Sequence, residues 1–296
     1  MKPRVGLISF LNCLPLAYGL RQNQASGSIR IVTGTPAELN RRLTAGGLDI
    51  SPISSVEYAR HHKDLLLLPG LTISSPDEVF SILLISKVEI GALGKGRQVA
   101  LPDTSATSHA LLQIILHEYG LKPRYYTCRP HLEAMLEEAD AALLIGDDAL
   151  KARFQVPPGA FVYDLGQEWF RLTSAKMVYA VWAVRRSYYQ RNPDLVRAVM
   201  NLLHKGLETG LSEKKSAIEY FGVPVPLTRD FVMGYLKKLD YGFDWSHHRG
   251  LKEFFTRAHA LGLIKKVPAL RFIAHKVQTR TRVTAEKGSE GMQTGS

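Results

Sequence analysis

A short buried strand that runs straight into a polar turn and a proline-started helix constrains this chain more than any other feature. The stretch is Val5 to Leu16, VGLISFLNCLPL, in which apolar residues lead to Ser9, Phe10 and Asn12 before Pro15 opens a helix. Such a junction leaves unpaired helix N–H groups and small polar side chains at the carboxyl end of a strand. Ligands bind at that place in open α/β sheets.

The device returns three times. Leu48 to Ile53 runs into Ser54, and Glu57 three residues later predicts a capping box around Ser54. Ser54 is therefore a helix cap, a hydroxyl facing a cleft, or both. Val99 to Leu101 runs into DTSATS, whose Thr104, Ser105, Thr107 and Ser108 exceed what one cap needs. Hydroxyls beside free N–H groups make a cradle for a carboxylate or phosphate. Ala141 to Ile145 runs into Gly146, which admits close approach of a ligand to the backbone. Asp147 and Asp148 suit the first turn of the next helix, and Asp147 stays a binding candidate beside Gly146.

Two longer apolar strands, Val79 to Ser86 and Met177 to Val184, bracket a self-contained unit. The expected organisation is a discontinuous first lobe, residues 1–86 and 177–272, interrupted by a second lobe, 87–176. A basic, flexible tail is expected over 273–296. Two crossover strands would form the hinge of an α/β clamshell with its cleft between the lobes. Ser81 interrupts the first long strand; its hydroxyl either bonds a neighbouring carbonyl or points into a site. Phe10, Tyr163, Trp169 and Tyr179 are candidates for the cleft wall, with core burial the commoner fate for each.

With 296 residues and 45% hydrophobic side chains the chain can bury a large core, and no apolar run approaches the length of a membrane span. The opening Met1-Lys-Pro-Arg4 lacks the apolar segment of a secretory signal, so the expected location is the cytoplasm. Cys13 and Cys128 have no metal-ligand or redox spacing, and the histidine pairs fit no ligand motif, so no metal is expected. Cys13 lies beside the opening turn, but no nearby histidine would activate it, and a packed thiol is the plainer reading. The net charge of +11 is scattered along the chain and carries no nucleic-acid recognition motif. It suits an anionic small substrate equally well.

Taken together, VGLISFLNCLPL, DISPISSVEYA, LPDTSATSHALL, YYTC and ADAALLIGDDAL resemble the menaquinone-biosynthetic chorismate dehydratases of the futalosine pathway, from about residue 4 to about residue 272. The resemblance implies a type II periplasmic-binding-protein-like fold used as an enzyme without cofactor or membrane. The substrate would be the dicarboxylate chorismate, dehydrated to 3-[(1-carboxyvinyl)oxy]benzoate. It further implies that Asn12 and Ser81 are catalytic. The proposed turns would supply anion cradles at Ser9, Phe10, Ser54, Thr104, Ser105, Thr107, Ser108, Gly146 and Asp147.

The residues offer neither a pair of carboxylates for acid–base work nor a histidine at a strand end. One reading is that a substrate carboxylate takes the proton. Two alternatives remain at this stage. One is a cytoplasmic binding protein for a small carboxylate. The other is the sister enzyme that makes 1,4-dihydroxy-6-naphthoate, which would be expected to place a more explicit base near the hinge.

Overall fold

The computed structural model describes residues 2–274, which build two five-stranded sheets. The tail expected over 273–296 lies, from residue 275 onward, outside the described residues.

The chain begins with β1 (Arg4–Ile8), α1 (Leu14–Gln22), β2 (Arg30–Gly34), α2 (Pro36–Thr44), β3 (Ile50–Ser54), α3 (Ser55–His61) and β4 (Leu65–Ser75). It then crosses into a second unit: β5 (Ile82–Ser86), β6 (Gln98–Pro102), α4 (Ala106–Glu118), β7 (Arg124–Cys128), α5 (Leu132–Glu138), β8 (Ala141–Ile145), α6 (Gly146–Ala152), β9 (Phe161–Asp164) and α7 (Leu165–Thr173). It returns through β10 (Met177–Arg185) and closes with α8 (Arg186–Arg191), α9 (Pro193–Ser212), α10 (Lys214–Phe221), α11 (Arg229–Lys238) and α12 (Trp245–Ala260).

The strand orders are β2-β1-β3-β10-β4 and β7-β6-β8-β5-β9. Both sheets follow one plan: each sheet's three βα strands are parallel, and the strand arriving from the crossover inserts antiparallel beside the third. This moves one expected boundary. Val79 to Ser86 was assigned to the first lobe, yet β5 pairs with β8 and β9 in the second sheet. The crossovers are the short segments 76–81 and 174–176, and the long apolar strands lie just beyond them. Inter-strand hydrogen bonding explains the shift, because a strand belongs to the sheet that satisfies its backbone.

The unbroken apolar runs follow from burial on both faces. In β5, Leu83 and Ile85 join a small core with Met135 and Leu136, while Ile82 and Leu84 face the main core. The edge strand β2 (RIVTG) is largely exposed. At the other end of the first sheet's ladder, Asp49 accepts hydrogen bonds from Arg4 and Arg185, tying β1, β3 and β10 together.

Helix α1 carries the Asn12 turn, and α9 packs almost backbone to backbone against it. A Cβ on Gly19 would stand 1.7 Å from the Gly206 carbonyl oxygen, and one on Gly210 would stand 1.7 Å from that of Pro15. Only glycine permits that approach, so the register of α1, and with it the start of the helix at the site, is fixed by steric fit.

Candidate active site

The βα junctions after β1, β2, β3, β6 and β8 deliver residues to one cavity between the lobes, with about 560 Å³ of empty space counting its mouth. Asn12, Ser54, Ser81, Ser105, Ser108, Phe10 and Gly146 line it, together with Asn40 and Tyr179. Ile8, Ile73, Val79, Ile82, Ile145 and Leu239 supply apolar wall.

Asn12 sits in a 3₁₀ turn, Leu11–Cys13, between β1 and α1. Its carbonyl oxygen accepts a hydrogen bond from the Tyr241 hydroxyl at 2.7 Å. Its side-chain Oδ1 is buried and accepts none from the protein. A buried acceptor left so costs about 1–3 kcal/mol, a cost that a ligand donor would remove. The neighbouring Cys13 thiol is buried, and burial pushes its pKa up to about 12, which removes it as a nucleophile.

The capping box expected at Ser54 does not form. Ser54 makes no side-chain cap to α3, and Glu57 pairs with Arg60 instead. The Ser54 hydroxyl accepts from Asn40 Nδ2 at 3.0 Å, while Asn40 Oδ1 accepts from Ser54 N at 3.1 Å. That leaves the Ser54 hydroxyl hydrogen available to the cavity. At α4 the Ser105 side chain caps the helix, and Ser105 and Ser108 share a 3.1 Å hydrogen bond at its positive end.

Ser81 closes the first crossover. Its carbonyl accepts from Gly146 N at 2.8 Å, and its Oγ accepts from the Tyr235 hydroxyl at 3.1 Å. The preceding Phe80 is left-handed (φ 65°), a conformation that costs a bulky residue about 1–3 kcal/mol. Asp164 holds it there: its carboxylate accepts from Val79 N at 3.0 Å and from Phe80 N at 2.7 Å. Arg153 bonds both the Phe80 carbonyl and Asp164, and its guanidinium lies over the Phe80 ring. Burial raises the Asp164 carboxyl against the pull of those two N–H donors.

The remaining candidates have other duties. Leu11 N donates to Asp147 Oδ1 at 2.9 Å, Val56 N to Thr107 Oγ1 at 3.3 Å, and Ala37 N to the Thr104 carbonyl at 3.0 Å. Each bond crosses from one lobe to the other, so Asp147, Thr107 and Thr104 fasten the clamshell and do not line the cavity. Ser9 is exposed and faces a neighbouring pocket. The reason is shared. Successive turn residues point in different directions, and only one side of each turn can face inward. Gly146 does line the cavity, but the space a Cβ would take there is filled by the Phe10 ring from the opposite lobe, not left open for a ligand. Among the aromatic candidates, Phe10 and Tyr179 line the cavity. Trp169 is fully buried against Phe254, and the Tyr163 hydroxyl accepts from Ile90 N.

Four residues escaped the sequence reading: Asn40, Tyr235, Asp164 and Arg153. Asn40 left a usable trace, because it lies on the buried stripe of α2 with Leu39 and Leu43. The others act across distances that no local pattern reports.

None of the cavity-lining residues is an Asp, Glu, His, Lys or Arg. Among the described residues no group of three or more His, Cys, Asp or Glu side chains is arranged to hold a metal ion. The cavity offers hydroxyls, an amide, a helix N-terminus and apolar walls, which suits an anion whose charge is met by hydrogen bonds and not by a cation.

A family model described as menaquinone biosynthesis matches residues 3–260. A chorismate dehydratase of Thermus thermophilus is 36% identical over 278 residues, 89% of this chain and 97% of that protein. The solved structure of protein AF1704 from Archaeoglobus fulgidus superposes with a TM-score of 0.71 at 20% identity, covering 89% of this chain and 98% of that one. The periplasmic aliphatic sulphonate binding protein SsuA of Escherichia coli gives 0.64 at 16%, covering 99% and 97%. At such identities the structural likenesses establish the fold, a two-lobed periplasmic-binding-protein architecture. Among the described residues no helix is long and apolar enough to cross a membrane.

Proposed function

This chain belongs to the menaquinone-biosynthesis family, and from that premise we propose that it is a chorismate dehydratase, a cytoplasmic carbon–oxygen lyase. It removes water from chorismate to give 3-[(1-carboxyvinyl)oxy]benzoate. The observation that carries the reading is the uncharged cavity, in which the buried Asn12 Oδ1 and the Ser81 hydroxyl stand among anion-binding turns.

The chemistry fits that inventory. The hydrogen on ring carbon 3 is vinylogous to the ring carboxylate, so its removal gives a dienolate. Hydrogen bonds to that carboxylate from Ser54, Ser105 and Ser108 stabilise the developing charge. No lining side chain is a base of suitable strength, and the second substrate carboxylate, on the ether-linked vinyl group, takes the proton. A cradle without cations leaves that carboxylate basic. The bond from ring carbon 4 to its hydroxyl then breaks, and the hydroxide departs as water with a proton equivalent to the one removed. Asn12 orients the substrate or its leaving hydroxyl, Ser81 donates to the departing oxygen, and aromatisation supplies the driving force. The reaction changes no net oxidation state and calls for no redox cofactor. The enzyme works by orientation and electrostatics.

The test is to mix the purified protein with chorismate, without added metal or cofactor, and follow products by chromatography. Catalytic formation of the carboxyvinyloxy-benzoate supports the reading. Chorismate that binds and persists reduces the protein to a receptor, and chorismate that neither binds nor reacts is removed as the substrate.

A further inference from the structure

We infer that Tyr235 is a positioning residue for this reaction: by donating its phenolic hydrogen to Ser81 Oγ it commits the Ser81 hydroxyl to donate its own hydrogen into the cleft. The inference rests on the dehydratase reading and deepens it, because it decides which way Ser81 acts.

A serine hydroxyl has one hydrogen and two lone pairs. With Tyr235 donating at 3.1 Å, one lone pair is occupied from the buried side. The Ser81 carbonyl is engaged separately with Gly146 N, and the side chain lines the cavity. The hydroxyl hydrogen therefore has the substrate as its natural acceptor. Accepting one hydrogen bond also makes a hydroxyl a better donor of the next. That is what a departing hydroxide needs. If the hydrogen bond ran the other way, Ser81 would present only lone pairs to the leaving oxygen and repel it.

Tyr235 is built to hold this direction. It is fully buried on α11, and burial lifts its phenol far above the ordinary range, so it stays protonated and stays a donor. Helix α11 is anchored beside the crossover: Phe231, one turn earlier, stacks on Phe80 and meets Phe154 edge-on. The Asn40–Ser54 pair repeats the logic on the other lobe, with a buried amide donating to a cavity serine.

The experiment compares wild type, Tyr235→Phe, Ser81→Ala and the double variant on chorismate. Tyr235→Phe keeps the ring and removes only the donor. Its expected effect is a kcat lowered about 10- to 100-fold with KM changed less than about threefold. In the Ser81→Ala background the same substitution should cost nothing further, a non-additivity that a purely structural tyrosine would not produce. Thermal melts of each variant, with rates taken well below every midpoint, separate lost turnover from lost fold. Wild-type kcat in Tyr235→Phe overturns the inference, as does a second full loss in the double variant. A wild-type protein that leaves chorismate unchanged overturns the dehydratase reading itself and this assignment with it.

Discussion

Asp147 and Leu11 meet across the cleft: a carboxylate oxygen at the start of α6 accepts the main-chain N–H that opens the Asn12 turn, at 2.9 Å. One lobe thus grips the backbone that carries Asn12 of the other, so the docking of the two lobes also sets the Asn12 turn. Burial raises the Asp147 carboxyl while the Leu11 N–H pulls it down.

Removing that grip should loosen closure more than folding. Asp147→Ala is expected to raise KM for chorismate by about 10- to 100-fold, the worth of a charge-assisted hydrogen bond, while the melting temperature shifts little. Small-angle scattering should report a larger radius of gyration. An unchanged KM would remove the latch.

Gly146 faces the same closure from the steric side. Its backbone is left-handed (φ 58°), and an added Cβ would stand 2.6 Å from the Phe10 ring. Gly146→Ala is therefore expected to cost about 1–2 kcal/mol of stability from backbone conformation alone. It should also hold the lobes apart, with most turnover lost. Steady-state kinetics alongside a thermal melt checks both parts.

Asn12→Ala and Ser81→Ala test the chemistry directly. Each removes a group that the proposed mechanism places at the reacting edge of the substrate, and each should lower kcat by about 10²–10³. Near-normal turnover in either variant, measured by chorismate consumption, would take that residue out of the mechanism.

Asp164 should matter through Ser81, which it never touches. Asp164→Asn loses one of the two strong acceptors that hold Val79 and Phe80 and weakens the Arg153 pair. Weakening this partly buried pair removes stability, and relaxing Phe80 displaces Ser81. Both stability and kcat should fall; denaturant unfolding and kinetics on the same preparation would show whether they fall together.

Acid should weaken the ion pairs that anchor the second crossover. Asp240 bonds His247 and Lys176, and these partners hold its carboxyl well below the usual range. A depressed carboxyl contributes stability that is complete above the unfolded value, near 3.9, and is lost as pH falls through the folded one. The wild-type melting temperature should therefore drop as pH falls below about 4. Asp240→Asn should start lower at neutral pH and fall less steeply. Parallel curves for the two proteins would sink the assignment.

Much of the site was legible because a βα junction is local. Asn12, Ser54, Ser105, Ser108 and Gly146 sit at strand ends by virtue of a few neighbouring residues, and the parallel sheets bring those ends together. Neighbours in the same turns lie outside the cavity lining for an equally physical reason. Thr104, Thr107 and Asp147 carry the right chemistry, yet which turn atoms face the cleft depends on how the two lobes dock.

By itself, then, the sequence determined the α/β alternation, the interrupted lobe, and a cavity of short polar side chains at helix starts, since periodicity and turn chemistry are written within about ten residues. Tertiary structure alone decided what those side chains can do. Ser81 takes its donor from Tyr235, 154 residues away, and its backbone constraint from Asp164, which bonds the adjacent Phe80 across 84 residues. No local pattern encodes such pairings. They exist only because folding buries both partners together, where an unpaired polar group is costly.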